Sequence, residues 1–440
     1  MTTTVTHSLP PAGLPIAIVG AGLAGLTCAQ FLAQAGHRVH VFDKSRGPSG
    51  RMSTRRSSDA STEWQCDHGA QYFTARDTHF RAQVADWDHA GVAAAWQGRI
   101  GTHDGQGFVL HDSALQRFVG TPRMTSPAAH LVRHMEQLPQ PVRFQWQTTV
   151  QPLQAQAGAG WQLHSPEHGP EAQRYQAVLL AVPAPQAAPL LEAVTPEAAT
   201  LARSAPMRAC WSVMVRCPQP VALPVDGCFI EHSPLRWIAR DSSKPGRSGP
   251  ETWLLHASHA WSEAHVHDEA TAVTAALLQA FAQLGGPDPA SVQATAHRWL
   301  YADPAPPLNV DGCFVEHSPL RWIARDSSKP GRSGPETWLL HASHGWSEAH
   351  VHDAATAVTA ALLQAFAQLG GPDPASVQAT AHRWLYADTA PPLNVDGWWQ
   401  PETGLGLCGD WLHNGTVEGA WLSGRHLAQR VHATLATRTA

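Results

Sequence analysis

Short apolar runs that are typical of buried strands alternate with longer apolar stretches that are typical of helices at both ends of this chain. Near the start, the pattern predicts strands over 16–19 and 39–42, with a helix over 23–35 between them. Near the end, it predicts a strand that begins at 405 and ends at 409–410, and a helix over about 415–435. Strand, helix and strand in close succession indicate a βαβ unit and therefore a parallel sheet.

Glycines with the spacing G-x-G-x-x-G connect the first strand to the first helix at Gly20, Gly22 and Gly25. The first glycine permits a tight turn, the second lets the backbone approach a pyrophosphate, and the third lets helix and strand pack closely. Asp43 follows the second strand, where a carboxylate can accept hydrogen bonds from a ribose hydroxyl. The phosphates would sit at the helix N-terminus, whose free N–H groups and dipole favour anions. The pattern therefore predicts a site for the ADP part of a dinucleotide.

The composition narrows the possible functions. The 440 residues carry 30 basic and 35 acidic side chains, a near-neutral balance that argues against nucleic acid or a membrane surface as a partner. No apolar run reaches the roughly 18 residues of a transmembrane helix, and residues 1–14 do not have the pattern of a signal peptide. Seven cysteines without a C-x-x-C pair argue against a disulfide framework or a zinc site. We therefore expect a reducing, cytoplasmic compartment.

One long segment occurs twice. The first copy, 225–309, recurs as the second copy, 310–394, with four substitutions: Ile230 to Val315, Ala260 to Gly345, Glu269 to Ala354 and Pro304 to Thr389. A solenoid uses shorter units and usually three or more of them, so the repeat indicates an unequal crossover or a sequence-assembly error. One fold has room for one copy at this place, and we expect the other to form an appended subdomain or to swap with a second molecule. A hybrid, with the first strands of one copy and the last strand of the other, fits the connections equally well.

Each copy has the pattern of strands backed by one helix. In the first copy the pattern predicts, in order, strands at 229–231 and 235–239, a turn-rich loop at 241–247, a strand at 252–257, a helix capped by Asp268 and a returning strand at 292–301. Neither copy contains a glycine fingerprint. The repeated segment is therefore predicted to belong to a substrate domain and not to a second nucleotide fold.

The far C-terminus is predicted to complete the nucleotide site. Its strand ends in Gly409 and Asp410, and the following helix begins near Val417. In flavoproteins with two dinucleotide-binding elements, such a late Gly-Asp presents its carboxylate to the ribityl chain and pyrophosphate of FAD. The helix N-terminus then faces the flavin and can stabilise negative charge on it. A plain nicotinamide dehydrogenase does not need this element, so FAD is predicted in preference to NAD.

Four stretches besides the glycine turn give the chain its resemblance to a known family. They are GRMSTRR at 50–56, DHGAQYF at 67–73, YQAVLLAVPAPQA at 175–187, and the C-terminal GLCGDW with VEGAWLSG. Together they resemble the renalase-like branch of the flavin amine oxidoreductase superfamily, over essentially the whole chain once one copy is set aside. The resemblance implies an α/β fold with a glutathione-reductase-type, Rossmann-like FAD-binding domain and a mixed-sheet α+β substrate domain, and FAD held non-covalently.

The resemblance also implies how the chain is divided between these domains. The FAD-binding domain would comprise residues 1–80, 141–190 and 395–440. The substrate domain would comprise 81–140 and 191–394, with both copies in its second part.

The resemblance further implies which residues hold FAD. These are Gly20, Gly22, Ala24 and Gly25 at the pyrophosphate turn, Asp43 and Lys44 after the second strand, Arg51 and Met52, Gly69, Ala70 and Gln71 along the flavin, Val150 at the adenine, and Gly409, Asp410 and Val417 at the C-terminus. Two positions depart from the family pattern. Asp43 stands where Glu is more common, and Ser49 stands where many relatives have Gly.

Several other side chains are candidates for substrate contacts. Three aromatic residues are candidates for the wall of the substrate pocket and would otherwise belong to the core: Tyr72, Trp299 and Tyr301. The second-copy equivalents of the last two are Trp384 and Tyr386. Arg55 and Arg56 would hold phosphates of a dinucleotide substrate or pair with surface acids.

Histidines and one cysteine suggest further chemistry that we do not predict. The first copy holds His256, His259, His265 and His267, and the last two would share one face if they lay on a strand. No carboxylate cluster completes a metal shell there, so no metal is predicted. Cys408 stands close to the expected flavin, but a small residue that fills a tight strand explains it better than a covalent thioether.

No catalytic residue is predicted, because hydride transfer to a flavin needs no acid or base and the sequence offers no Ser-His-Asp set. The resemblance implies an oxidase that takes a hydride from an isomeric dihydronicotinamide dinucleotide, 2- or 6-dihydro-NAD(P), and passes the electrons to O2, giving H2O2. Two alternatives stay open. One is a flavin amine oxidase with an aromatic cage for its amine, and the other is a non-catalytic FAD-binding protein whose substrate domain the duplication has disrupted.

Overall fold

The apolar runs of the sequence form the strands of two main sheets and the helices that cover them. The structure is a computed structural model that describes residues 13–56, 64–111, 116–154, 160–205, 207–304, 312–314, 320–325, 338–342, 355–368, 393, 395–413 and 415–439. It divides the chain into two units. The first unit comprises Met1–Ala305 and Ala390–Ala440, and the second comprises Pro306–Thr389.

The elements follow one another in this order. The first part of the chain forms β1 (Ile16–Val19), α1 (Leu23–Gln34), β2 (Val39–Phe42), β3 (Thr54–Arg56), β4 (Gln65–Asp67), α2 (Thr78–His89), β5 (Ala93–Ala95), β6 (Ile100–His103), β7 (Phe108–Leu110), β8 (Phe118–Gly120), α3 (Ser126–Glu136), β9 (Arg143–Gln145), β10 (Trp161–Ser165), β11 (Gly169–Tyr175) and β12 (Ala177–Leu180). The middle part forms α4 (Ala184–Leu191), α5 (Pro196–Arg203), β13 (Met207–Arg216), β14 (Gly227–Ile230), β15 (Leu235–Arg240), β16 (Thr252–Ala257), α6 (His259–Ala264), α7 (Ala270–Gln283) and β17 (Gln293–Pro304). The last part forms β18 (Gly312–Phe314), β19 (Leu320–Arg325), β20 (Trp338–Ala342), α8 (Ala355–Gln368), β21 (Trp398–Gln400), β22 (Leu405–Leu407) and α9 (Val417–Thr439).

The first sheet has the strand order β21-β22-β12-β1-β2-β9 and is parallel except for β21. β1 lies at its centre, and all four of its residues are buried. Ile16 and Ile18 pack in one core with α1 and α9, whereas Ala17 and Val19 pack in another with α4 and α5. Both faces of β1 are therefore covered, which explains why the strand is continuously apolar instead of alternating.

The C-terminal helix packs directly on the N-terminal one. A Cβ atom on Gly424 of α9 would lie 2.1 Å from the carbonyl oxygen of Ala24 in α1, so only a glycine allows this approach. The contact brings the end of the chain beside the glycine turn that begins α1. The two halves of the predicted nucleotide site, far apart in sequence, therefore meet in space.

The second sheet has the strand order β17-β13-β16-β15-β14-β6-β7. Its pairs are antiparallel except for β14 with β6, so the sheet is mixed. The first copy supplies β14 to β17, and α7 covers one face through Val273, Leu277 and Phe281. Among the described strands, β16 and β17 of the first copy pair with the two edges of β13, so the first copy and not a hybrid of the two occupies this position.

The second unit repeats the local structure of the first copy. Its sheet has the order β18-β19-β20, with Gly312 opposite Ala324, as Gly227 lies opposite Ala239 in β14 and β15. The fourteen residues of helix α8 are identical to those of α7, so the two helices have the same apolar pattern. The same residues thus form the same hairpins in both copies, and in the part of the chain that the structure describes β13 pairs with strands of the first copy.

One expectation about local structure needs correction, and one conditional interpretation of the sequence does not apply. The N-cap of α7 is Glu269 and not Asp268. The pair His265 and His267 does not lie on a strand, because Ser258 caps the short helix α6, which ends at Ala264 and turns through these residues. None of the described helices combines the length and the hydropathy that a membrane crossing requires.

Candidate functional site

A cavity of about 1240 Å3 lies in the first unit, where the parallel strands of the first sheet end. Residues that follow β1, β2, β12 and β22 line one part of it, as expected for a ligand site at the carboxyl ends of parallel strands. Residues from β14 to β17 line another part. Pockets for small ligands are typically about 300–1,000 Å3, so this cavity has room for a dinucleotide beside a second small molecule.

The glycine turn forms one end of the cavity. Gly20 has a φ of +108°, and a Cβ there would lie 2.4 Å from the carbonyl oxygen of Ala181. A Cβ on Gly25 would lie 2.0 Å from the carbonyl oxygen of Gly20. Gly22 differs from both, since nothing lies within 4 Å of its Cβ position and the residue lines the cavity. The turn is therefore tightly packed behind and open in front, where a phosphate can approach the backbone.

Asp43 ties the turn after β2 to the turn after β1. Its carboxylate accepts hydrogen bonds from the N–H of Ala21, at 2.6 Å, and from the N–H of Ser45, at 2.7 Å. Each oxygen keeps a lone pair for a further donor. Asp43 thus lines the cavity as an oriented carboxylate that can accept a hydroxyl hydrogen.

An ion pair joins the N-terminal and C-terminal parts of the site. The guanidinium of Arg51 donates two hydrogen bonds to the carboxylate of Asp410, at 2.9 and 2.5 Å. The side chains are 29% and 9% exposed, so the pair is partly shielded from water. Its parallel, bidentate geometry gives directional strength as well as charge neutralisation. Both residues line the cavity beside Met52 and Val417.

The segment 67–71 crosses the middle of the cavity and is held on both sides. Towards the first sheet, the N–H of Ala70 donates to the carbonyl oxygen of Arg51 at 2.9 Å, and Gly69 packs so closely there that a Cβ would lie 1.9 Å from that oxygen. Towards the second sheet, the carbonyl oxygen of His68 accepts from Ser212 Oγ and Trp299 Nε1, both at 3.0 Å. Strands of the second sheet thus position a segment that faces the nucleotide end.

Neutral histidine rings and a tryptophan form the adjoining wall. The ring of His68 stacks on Trp299 with centroids 5.3 Å apart, and His297 meets His68 edge-on at 4.8 Å. Burial lowers the pKa of His68 to about 3, and the neighbouring His297 adds to the effect. Burial also lowers the pKa of His297. Both rings are therefore uncharged near neutral pH, and these histidines add no formal charge to the wall.

A buried cluster of charges lies behind the segment 67–71. Nζ of Lys244 lies 2.8 Å from Asp241 Oδ1, 3.3 Å from Asp67 Oδ2 and 3.2 Å from Gln71 Oε1. Arg247 pairs with Asp67 as well, and all four charged side chains are at most 2% exposed. Burial disfavours the charged forms, but the carboxylates of Asp241 and Asp67 outweigh it and raise the pKa of Lys244. In turn, Lys244 and Arg247 outweigh the effect of burial on Asp67 and lower its pKa.

Known proteins match this chain in two ways. Residues 18–87 match the family described as the NAD(P)-binding Rossmann-like domain. The L-amino-acid oxidase of Siganus canaliculatus is 39% identical over 66 residues, which are 15% of this chain and 12% of that protein. The L-amino-acid oxidase of Daboia russelii is 52% identical over 42 residues, which are 10% and 8%. The chain therefore spans about a tenth of the length of these curated relatives.

Solved structures match over nearly the whole chain. Cyclohexylamine oxidase from Brevibacterium oxydans IH-35A aligns with a TM-score of 0.60, over 97% of this chain and 100% of that one, at 11% identity. The chain has the flavin amine oxidase fold. Putrescine oxidase bound to putrescine aligns with a TM-score of 0.54, over 96% and 99% of the two chains, at 10% identity. The predicted fold class, a Rossmann-like dinucleotide domain with a mixed-sheet second domain, is thereby confirmed.

Within this flavin amine oxidase fold, most of the residues that the sequence singled out for FAD line the one cavity. Of that set Gly25 does not, because it packs against the turn behind Gly20. Tyr72 and Trp299 also line the cavity. Tyr301 lies on β17, and only its backbone is described. Trp384 and Tyr386 lie outside the described residues.

The histidines considered for a metal serve as hydrogen-bonding groups in separate places. His256 Nε2 lies 3.2 Å from the carbonyl oxygen of His68, His259 Nδ1 lies 3.0 Å from that of Ala209, and His265 Nδ1 lies 2.7 Å from that of Trp261. Among the described residues, a group whose side chains lie close enough together to bind a metal ion is found elsewhere, at Asp396, His413 and His426. There Asp396 Oδ1 lies 2.6 Å from His413 Nδ1, which a hydrogen-bonded pair explains.

Cys408 lies away from the cavity, and the loop 241–247 lies in the interior. Cys408 is fully buried, belongs to the core with Cys28 and does not line the cavity. The loop, predicted only as a turn, carries Lys244 and Arg247 into the interior. A sequence signal for this exists, because two basic residues and an acid stand within seven residues between apolar strands, but the signal does not say which residues they meet.

Proposed function

We propose that the chain is an FAD-dependent oxidoreductase that takes a hydride from a small, anionic reduced donor, with an isomeric dihydronicotinamide dinucleotide as the first candidate. The observation that carries the proposal is the single cavity that joins the glycine turn to the wall of neutral histidines and aromatic rings. Such a cavity places a bound dinucleotide and a donor molecule side by side, as hydride transfer requires.

The residues of the nucleotide end fit FAD. The backbone at Gly22 is open to the cavity and begins a helix that no side chain caps, so N–H groups face a phosphate position. Asp43 presents its carboxylate where a ribose would lie. Arg51 and Asp410 bring a fixed positive and a fixed negative group to the pyrophosphate and ribityl region. These features support FAD as the cofactor and non-covalent binding as its mode.

When bound, FAD would supply the hydride acceptor and pass the electrons to O2, giving H2O2. The residues of the chain bind, orient and exclude water. The segment 69–71 lines the cavity between its two ends, while Trp299 and Trp237 give it apolar walls. The neutral ring of His68 adds to this wall and carries no charge that would oppose an approaching hydride donor.

The charges at the donor end favour an anion over an alkylammonium ion. Arg236, whose Nη1 lies 2.8 Å from His259 Nε2, and Arg298, which donates to the carbonyl oxygen of Val266, contribute their positive charges to the cavity lining on that side. The described carboxylates of the lining are engaged elsewhere: Asp43 with Ala21 and Ser45, Asp410 with Arg51, and Glu418 with the N–H groups of Arg76 and Asp77. An anionic group of a dinucleotide donor is therefore better matched than a cationic amine.

The second candidate is a flavin amine oxidase. It is supported by the fold shared with cyclohexylamine oxidase and putrescine oxidase. The aromatic side chains of Tyr72, Trp237 and Phe229 could form a cage for a neutral amine. The non-catalytic alternative has less support, because the first copy alone completes the seven-stranded sheet that forms the donor wall.

We also propose that the second copy allows swapping between two molecules. β18 to β20 repeat the sequence and register of β14 to β16. The second copy of one chain therefore has the pairing surfaces that β13 and β6 of another chain would accept.

The test is anaerobic mixing of the FAD-loaded protein with single donors, followed by the loss of visible flavin absorbance. The panel comprises 2- and 6-dihydro-NAD(P), ordinary NADH and two alkylamines. We expect rapid bleaching by the dihydronicotinamide isomers and none by the amines. Bleaching by amines alone would replace the first proposal with the second. A protein that takes up no FAD would overturn both.

A further inference from the structure

The charged cluster behind the segment 67–71 has no part in the function proposed so far. Lys244, Asp241 and Arg247 belong to the first copy, whereas Asp67 and Gln71 belong to the stretch that lines the cavity. Removing four charged groups from water costs free energy, and the attraction between them often does no more than offset that cost. Such a cluster therefore contributes little to stability. What it does fix is geometry, because each charged group must face its partner.

Lys244 determines how the side-chain amide of Gln71 is oriented. An ammonium group can only donate hydrogen bonds, so the amide oxygen of Gln71 must face Nζ, at 3.2 Å. The amide nitrogen must then face the other way, where it donates to the carbonyl oxygens of Asp67, at 2.8 Å, and of Gly69, at 3.1 Å. These hydrogen bonds from the amide hold the backbone of 67–71 in one conformation.

The segment 67–71 also contacts the nucleotide end of the cavity directly. The N–H of Ala70 bonds the carbonyl oxygen of Arg51, and the side chain of Arg51 pairs with Asp410. A continuous series of contacts therefore runs from Lys244 through Gln71 and Ala70 to the ion pair at the dinucleotide. We propose that Lys244 is a positioning residue that sets the segment 69–71 against the flavin, an inference that rests on the proposed function.

The role can belong to one copy only. Asp67 and Gln71 occur once in the chain, whereas the lysine occurs twice, as Lys244 and as Lys329 of the second copy. The structure places Lys244 on Gln71, and Lys329 lies outside the described residues. The chain therefore contains its own matched control: the same substitution in an identical local sequence, at a position with no second Gln71 to hold.

The experiment compares Lys244→Met with Lys329→Met in the full chain. In the protein as purified, amide hydrogen exchange in peptides that cover 65–73 should accelerate in K244M and stay as in the parent in K329M. With FAD, K244M should bind the cofactor about tenfold or more weakly, as expected for the loss of a buried hydrogen bond to a charged group, and should shift the flavin midpoint potential. K329M should change neither quantity.

Two further variants separate positioning from general destabilisation. In Lys244→Met with Asp241→Asn, one charge of each sign is removed, so the fold is relieved of a carboxylate that would keep only the longer 3.8 Å contact with Arg247, while Gln71 still lacks its partner. Gln71→Met should produce the same shift of the flavin midpoint potential as K244M. Combining Gln71→Met with Lys244→Met should weaken FAD binding by less than about a further twofold, since the two residues act as one unit. Independent effects of the two substitutions, or equal effects of K244M and K329M, would overturn the inference. If the parent binds no FAD, the proposed function fails, and the hydrogen-exchange comparison still decides the role of Lys244.

Discussion

Arg51 and Asp410 matter because they connect two parts of the site that are 359 residues apart in sequence. Substituting Asp410 by Asn removes the charge that Arg51 faces and leaves a partly buried guanidinium with a weaker acceptor. We expect the dissociation constant for FAD to rise by about tenfold to a hundredfold, in line with the loss of a charge-assisted hydrogen bond. Equilibrium titration with FAD measures it.

The control for this prediction is Asp226→Asn. Asp226 also pairs bidentately with an arginine, Arg99, which is 51% exposed, and lies 3.4 Å from Nε of Arg240, but none of these three residues lines the cavity. Its loss should leave the affinity for FAD within a factor of two of the parent. Similar losses of affinity in both variants would show that the pair at the cavity has no special role.

The neutral ring of His68 makes stability depend on pH. Its pKa is about 3 in the folded protein, chiefly through burial, and near 6.5 in an unfolded chain. Below about pH 6.5 the unfolded state therefore binds more protons, and the free energy of unfolding falls as pH falls, by up to about 1.4 kcal/mol per unit of pH for this residue. His68→Gln should lose less stability than the parent between about pH 6.5 and 4.

Denaturant unfolding at several pH values checks this prediction. The exposed His168 provides the comparison, and His168→Gln should follow the parent at each pH. A pH dependence in His68→Gln as steep as that of the parent would mean that other groups, and not His68, account for the loss of stability.

At the scale of elements, the two identical helices α7 and α8 should differ in importance. Leu277 of α7 is fully buried in the core under the second sheet, and Leu362 is its equivalent in α8 of the second unit. Leu277→Ala should lower the free energy of unfolding of the first unit by about 2–5 kcal/mol, because it leaves a cavity in a packed core. Leu362→Ala should leave that transition unchanged.

Thermal unfolding followed by the release of FAD reports on the first unit and distinguishes the two variants. Equal losses in Leu277→Ala and Leu362→Ala would mean that both helices support the cofactor site. That result would contradict the assignment of the first copy to the position beside β13.

Local patterns in the sequence were enough to predict the elements around the glycine turn. Gly20, Gly22 and Gly25 act within one turn, so their spacing alone carries their geometry. The sequence analysis missed the short helix α6, whose N-cap Ser258 acts through a local hydrogen bond to the N–H of Trp261. It also placed the cap of α7 at Asp268, one residue before the observed N-cap Glu269.

The charged cluster could not be found in this way. Lys244 meets Asp67 across 177 residues and Gln71 across 173, and no periodicity records such a pairing. The sequence marks the loop 241–247 as polar and turn-rich, which normally indicates a solvated surface. Only the packing of β16 against β4, where Leu254 and Cys66 share a small core, shows that this loop is interior.

For the whole molecule, the arrangement of the copies explains how a large duplication leaves the site complete. The residues that line the cavity come from the first copy and from the stretches before and after both copies, and among the described residues none comes from the second unit. The repeated sequence is therefore redundant for the site. The two copies are not equivalent at this position. Ile230 of the first copy is buried, and the second copy has the smaller Val315 in its place, which would fill the core less well.

The amount of FAD bound by a chain that lacks residues 310–394 tests most directly whether the first copy alone completes the site. We predict one FAD per chain, with the same absorbance spectrum and the same affinity as the full-length protein, because all the described lining residues are kept. A shortened protein that folds but stays colourless in excess FAD, or that no longer folds, would contradict it.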